Sequence, residues 1–135
     1  MKTIEDARSL CLLAHSGQTR KDGITPYSTH PIAVSLMMTT TDEIIVALLH
    51  DVLEDTTVTD SKLIEMGYDL HIVKAIKALT RKQGECYEDY LQIISEDPLA
   101  CKVKIADMLH NMSDSPSEKQ KEKYRTGIKT LLKII

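Results

Sequence analysis

The chain has 135 residues, of which 17 are Lys or Arg and 20 are Asp or Glu, for a formal net charge of −3. That length implies one domain, residues 1–135, large enough for a real core built from Leu, Ile, Val, Ala and Met, since Trp and Phe are absent. The near balance of charge argues against a nucleic-acid or membrane surface, which needs a basic stripe, but allows a small anionic ligand held by a local cluster.

Thr3 can cap a first helix, with Glu5 and Asp6 in its first turn and Ile4, Ala7, Cys11 and Ala14 on one face; Gly17 stops it. Gln18 to Thr29, with Gly23 and Pro26, reads as a loop of a length that is usually functional. Pro31 fits the first position of a second helix carrying Ile32, Val34, Leu36 and Met37. A Thr39–Asp42 turn leads into a third, apolar helix that ends in the run His50-Asp51-Val52-Leu53-Glu54-Asp55. Thr59 or Asp60 can cap a short helix ending at Gly67, and Val73, Ile76 and Leu79 mark the next. Arg81 to Gly84 is a turn, Tyr87 to Ile94 a short helix, and Asp97-Pro98 opens a longer one. Pro116 breaks the chain before a terminal helix with Tyr124, Ile128, Leu131 and Leu132. No period-two alternation is sustained, so the expected fold is all-α with seven or eight helices.

The N-terminus carries Lys2, Glu5, Asp6 and Arg8 without a long apolar run, so neither a signal peptide nor a membrane span is expected. Cys11, Cys86 and Cys101 are odd in number and form no CxxC pair, which fits reduced thiols in a soluble cytoplasmic protein.

The chemistry concentrates in three segments. In His50 to Asp55 an imidazole and three carboxylates close a helix whose Val46, Ala47, Leu48, Leu49 and Val52 belong in a core. Buried charges there must be paired, bind a cation or become neutral. A His-Asp pair can ligate a metal if the helix end is slightly distorted or the side chains converge from adjacent positions, while Glu54 and Asp55 stand one turn on to handle a water and its protons. The bland alternative is a capped helix end with solvated carboxylates and a hydrogen-bonded core His. Asp107 sits in the second segment among Val103, Ile105, Ala106, Met108 and Leu109; Lys104 can pair with it, and Asn111 shares its face. The third segment sets Arg20 and Lys21 in a loop closed by Asp22-Gly23, followed by His30. Those cations can grip phosphates or a base edge, or merely be an exposed basic loop. His71 reads as exposed, His110 as packing or support for the site, His15 as support for the loop, and Arg81-Lys82 as a solvated turn in preference to a pair facing the pocket.

Together the blocks A-H-x-G-Q-x-R-K-D-G, P-Y-x-x-H-P, H-D-x-x-E-D-T and K-x-A-D-x-x-H-N, in this order, resemble the hydrolase half of the RelA/SpoT stringent-response enzymes and the small alarmone hydrolases of the HD superfamily. The resemblance runs from Ala7 to Met112. It implies metal ligands at His30, His50, Asp51 and Asp107, a water-activating pair at Glu54 and Asp55, and nucleotide contacts at Arg20, Lys21 and Asn111. It also implies one divalent ion, Mn2+, and removal of the 3′-pyrophosphate from guanosine tetra- or pentaphosphate. On chemical grounds two imidazoles and two carboxylates suit manganese, iron, cobalt or zinc and are poor for soft copper(I). Where the long enzymes often continue with Arg-Thr, this chain has Ser113-Asp114, and an acidic group near a polyphosphate would repel it. Hydrolysis of another nucleotide and a silent nucleotide sensor are the alternatives. Alarmone synthesis is not expected from a chain of this length.

Overall fold

A computed structural model of the chain describes residues 1–133. Among these the elements are nine α-helices: α1 Ile4–Ala14, α2 Thr29–Ser35, α3 Thr41–Leu49, α4 Val52–Asp55, α5 Asp60–Met66, α6 Leu70–Ala78, α7 Tyr87–Ser95, α8 Pro98–Met112 and α9 Glu118–Leu132. The all-α expectation holds. The extra helix arises because the expected third helix breaks at His50 and Asp51 into α3 and the single turn α4.

α3 is the central element. Ile45, Val46, Ala47, Leu48 and Leu49 are all at most 1 % exposed, so this helix is apolar all round and packs against α1, α2, α6 and α8. Burying each of the Ile, Val and Leu side chains is worth roughly 1.5–3 kcal/mol, which fixes the helix in place before any polar contact is counted. Its start is equally determined. Thr40 and Glu43 form a reciprocal capping box, and Lys102 of α8 reaches Glu43 at 3.0 Å.

The capping signals read from the sequence are borne out at Thr3, Thr59 and Asp97, whose side chains accept from backbone N–H groups in the first turns of α1, α5 and α8. α2 differs from expectation. It starts at Thr29, two residues before Pro31, and ends at Ser35, so Leu36 and Met37 are exposed rather than packed. Pro31 is tolerated within the first turn because the N–H it lacks would have no partner there. His30 thereby lies inside the helix, buried and facing the core side.

The 18–28 loop is ordered by its own bonds. Arg20 N–H donates to the Thr25 carbonyl at 2.8 Å and Tyr27 N–H to that of Gln18 at 2.9 Å. The Asp22 carboxylate accepts from the N–H groups of Ile24 and Thr25. Gly23, at φ +74°, supplies the left-handed residue this turn requires. At the far end, Gly127 lets α9 close on α7 and α8, since a Cβ there would meet the Met108 sulfur at 2.9 Å. No helix among the described residues is long and apolar enough to cross a membrane.

Candidate metal centre and active site

The break between α3 and α4 creates the site. The ladder loosens at His50, whose N–H reaches the Ala47 carbonyl at 3.5 Å, and Asp51 follows at φ −106°, ψ −1°. This is the distortion that lets two adjacent side chains face one point. His50 Nδ1 lies 2.6 Å from the Ala47 carbonyl oxygen. A carbonyl can only accept, so Nδ1 carries the proton and Nε2 turns a lone pair toward the cavity. That nitrogen is buried and makes no hydrogen bond.

Three other donor atoms gather around it. Asp51 Oδ2 stands 3.1 Å and Asp107 Oδ1 3.5 Å from His50 Nε2. His30 Nε2 is 2.7 Å from Asp107 Oδ1 and 3.9 Å from Asp51 Oδ2. Among the described residues, His30, His50 and Asp107 offer ligand atoms within 4.8 Å of one another, a group that could hold a metal ion and that does not include Asp51. The orphaned Nε2 fits that use, because a buried imidazole lone pair without a donor is costly unless a cation takes it.

Supporting contacts surround these side chains. Tyr27 donates its hydroxyl to Asp51 Oδ2 at 2.7 Å, and His30 Nδ1 meets His110 Nδ1 at 2.7 Å. Lys104 pairs with Asp107 Oδ2 at 2.9 Å, and Asn111 Nδ2 donates to Oδ1 at 3.2 Å. Asp107 is therefore not a lone buried charge, as the sequence reading allowed. His15 Nδ1 pairs with Gln18 Oε1 at 2.9 Å, and Gln18 Nε2 donates to the Asp55 carbonyl. That is the loop-supporting place expected of it. His71 is exposed and pairs with Asp42.

The carboxylates favour positive charge at His50 Nε2, as a proton there or as a cation taken by its lone pair in place of that proton. Burial opposes charge on His50, yet the Asp51 and Asp107 carboxylates push its pKa well above the ordinary value. Burial likewise opposes ionisation of Asp107, but Lys104, His30 and His50 hold its pKa well below the carboxylate range. Burial and the nearby Asp51 push the Cys11 thiol up to about 12, so it stays a neutral core group.

Glu54 and Asp55 stand on α4 at the wall of the same cavity, whose volume is about 240 Å³. Burial first, then the charge of Asp51, raises both their pKa values, with Asp55 adding to the effect on Glu54. Arg81, Lys104 and Lys123 bring three cations to the lining of the same cavity. Arg81 and Lys123 lie over the Tyr87 ring at 5.6 and 4.5 Å, and burial, Arg81 and Lys104 lower the Lys123 pKa. The sequence reading had Arg81 in a solvated turn and gave no role to Tyr27 or Lys123. Nothing local marks Lys123, which is one charge among many on α9.

Arg20, Lys21 and Asn111 lie at the rim. Arg20 Nη2 donates to Asp114 Oδ2 at 2.7 Å and to Asn111 Oδ1 at 3.4 Å, and Lys21 Nζ donates to the Ser115 carbonyl at 3.1 Å. A second hollow of about 190 Å³ opens here and shares Tyr27 and Asn111 with the first.

The chain thus has an all-α fold with a His-Asp pair at the break of its central helix and a candidate metal centre beside it. No family model matches the chain. In sequence it is similar to RelA/SpoT-type proteins. It is 33 % identical, over 87 % of its length, to a probable GTP pyrophosphokinase of Mycobacterium leprae, of which it covers 17 %. Against the bifunctional (p)ppGpp synthase/hydrolase SpoT of Escherichia coli it is 29 % identical over 97 % of its length, covering 20 % of that protein. The chain thus spans about a fifth of the length of the curated relatives it matches. In structure it resembles a metazoan ortholog of SpoT, described as hydrolysing ppGpp, with TM-score 0.77, 22 % identity, and coverage of 97 % of this chain and 84 % of that one.

Proposed function

We propose that residues 1–135 act as a metal-dependent phosphohydrolase that removes the 3′-pyrophosphate from guanosine tetra- or pentaphosphate, giving GDP or GTP and pyrophosphate. The observation that carries this reading is the buried, unpartnered His50 Nε2 near Asp51 and Asp107 in a cavity lined by both carboxylates and cations. His30, His50, Asp51 and Asp107 would hold one divalent cation, with Mn2+ the proposed ion. Such an ion, when bound, lowers the pKa of a water and polarises a phosphoryl oxygen.

The remaining chemistry belongs to the chain. Glu54 or Asp55, whose pKa values burial and the Asp51 charge raise, accepts the proton of the attacking water. Water adds to the phosphorus esterified to the ribose 3′ oxygen, the bond to that oxygen breaks, and the oxygen leaves with a proton. Lys104, Arg81 and Lys123 offset phosphate charge as it concentrates in the transition state. Asn111 and the Arg20-Lys21 loop take the nucleoside end in the adjoining hollow. The relatives named SpoT and 3′-pyrophosphohydrolase support the substrate class.

Asp114 on Arg20 favours a second reading, in which the same centre hydrolyses a nucleotide less charged at the rim. Incubation with guanosine tetraphosphate and manganese, followed by measurement of pyrophosphate and GDP, tests the first. Equal amounts of both products are expected. Absence of pyrophosphate, with turnover of another nucleotide in a panel, would favour the second.

A further inference from the structure

Both loop cations are already engaged by the protein itself. Asp114 Oδ2 stands 2.7 Å from Arg20 Nη2, with the Arg20 side chain only 13 % exposed and that of Asp114 39 % exposed. Lys21 Nζ donates to the Ser115 carbonyl. Both contacts come from the connection between α8 and α9. Within it Ser115, at φ 47°, has the one positive φ of any non-glycine residue among those described, directly before Pro116. Side chains with a Cβ disfavour that region, and a residue preceding proline is steered toward extended conformations. This turn is therefore held by the contacts it makes rather than by local preference.

We infer that Asp114 is a specificity-determining residue that competes with ligand phosphates for Arg20. The inference rests on the reading that the cavity takes a phosphorylated nucleotide. A phosphate brought to Arg20 must displace a partly buried, charge-assisted hydrogen bond or sit beside a second negative group. A neutral acceptor, such as a base carbonyl or a ribose hydroxyl, can use the remaining guanidinium N–H groups without that penalty. The rim therefore selects ligands by the charge of the group they present at Arg20, accepting a base edge and disfavouring phosphate. Arg20 also reaches Asn111, which bonds Asp107, so the selecting pair is continuous with the floor of the cavity.

The test is a binding cycle by calorimetry with inorganic pyrophosphate and GDP as probes, on the full chain and its Asp114→Asn, Arg20→Ala and doubly substituted variants. Asp114→Asn keeps the side-chain shape at a partly exposed position, and its melting curve checks folding. At least one probe is expected to bind about fivefold more tightly to Asp114→Asn, the scale of one ion pair released. In the Arg20→Ala background the same change is expected to shift binding by less than about twofold, because partners in contact are non-additive. Unchanged or weaker binding of both probes in Asp114→Asn overturns the inference, as does equal tightening without Arg20. Guanosine tetraphosphate turnover by the unaltered chain is measured alongside. Its absence counts against the proposed function, while the pyrophosphate arm still decides the role of Asp114.

Discussion

His50 separates this site from an ordinary packed core at the scale of single residues. A histidine satisfied on both nitrogens would be the bland outcome, and one nitrogen is indeed satisfied by the Ala47 carbonyl. The other is buried and unpaired between two carboxylates. The sequence made His50, Asp51 and Asp107 legible because charge in apolar segments demands compensation, and the cluster meets that demand. Tyr27 and Lys123 were not legible, since a loop tyrosine and a lysine in a charged helix look the same whether or not the fold turns them inward. Glu54 and Asp55 line the cavity without standing among the atoms that converge at its floor. Changing them together to Gln and Asn is expected to leave metal affinity within about twofold and to cut turnover by a hundredfold or so, the usual worth of a general base. Metal titration and initial rates on the one variant separate the two roles; loss of metal binding would make them ligands instead.

At the scale of elements, the decisive feature is the interruption between α3 and α4. Apolar patterning reported the buried helix correctly but could not report the break, because Val52 continues the apolar face on the far side of it. The start of α3 is pinned by Glu43, which accepts from the Thr39 and Thr40 N–H groups and pairs with Lys102. Burial alone would raise its pKa, but those hydrogen bonds hold it at about 2 against an ordinary 4.5. A depressed folded-state pKa gives stability that is fully present above the unfolded value and is lost as pH falls through the folded one. Glu43→Gln is therefore expected to cost about 1–3 kcal/mol at neutral pH, with the difference from the unaltered chain shrinking toward about pH 3. Denaturant unfolding at the two pH values measures this. A pH-independent difference would mean that the hydrogen bonds, and not the charge, fasten α3 to α8.

At the scale of the whole molecule, a chain of nearly balanced charge sorts that charge within one cavity. Carboxylates of α4 line it together with cations carried by α8, α9 and the turn after α6, and Arg20 and Lys21 of the 18–28 loop line the adjoining hollow. Composition excluded a broad basic surface but could not reveal this sorting, which depends on α9 folding back over α7 and α8. The likeness to one segment of much longer proteins supports the substrate class, while the local chemistry stands on the His and Asp cluster. Calorimetric titration of the protein with manganese tests that cluster most directly. One ion per chain is expected, with binding lost in His50→Ala and Asp107→Ala, and a rise in melting temperature of several degrees at saturating metal. Undiminished binding in both correctly folded variants, or no binding to the unaltered chain, would contradict a metal centre at this site.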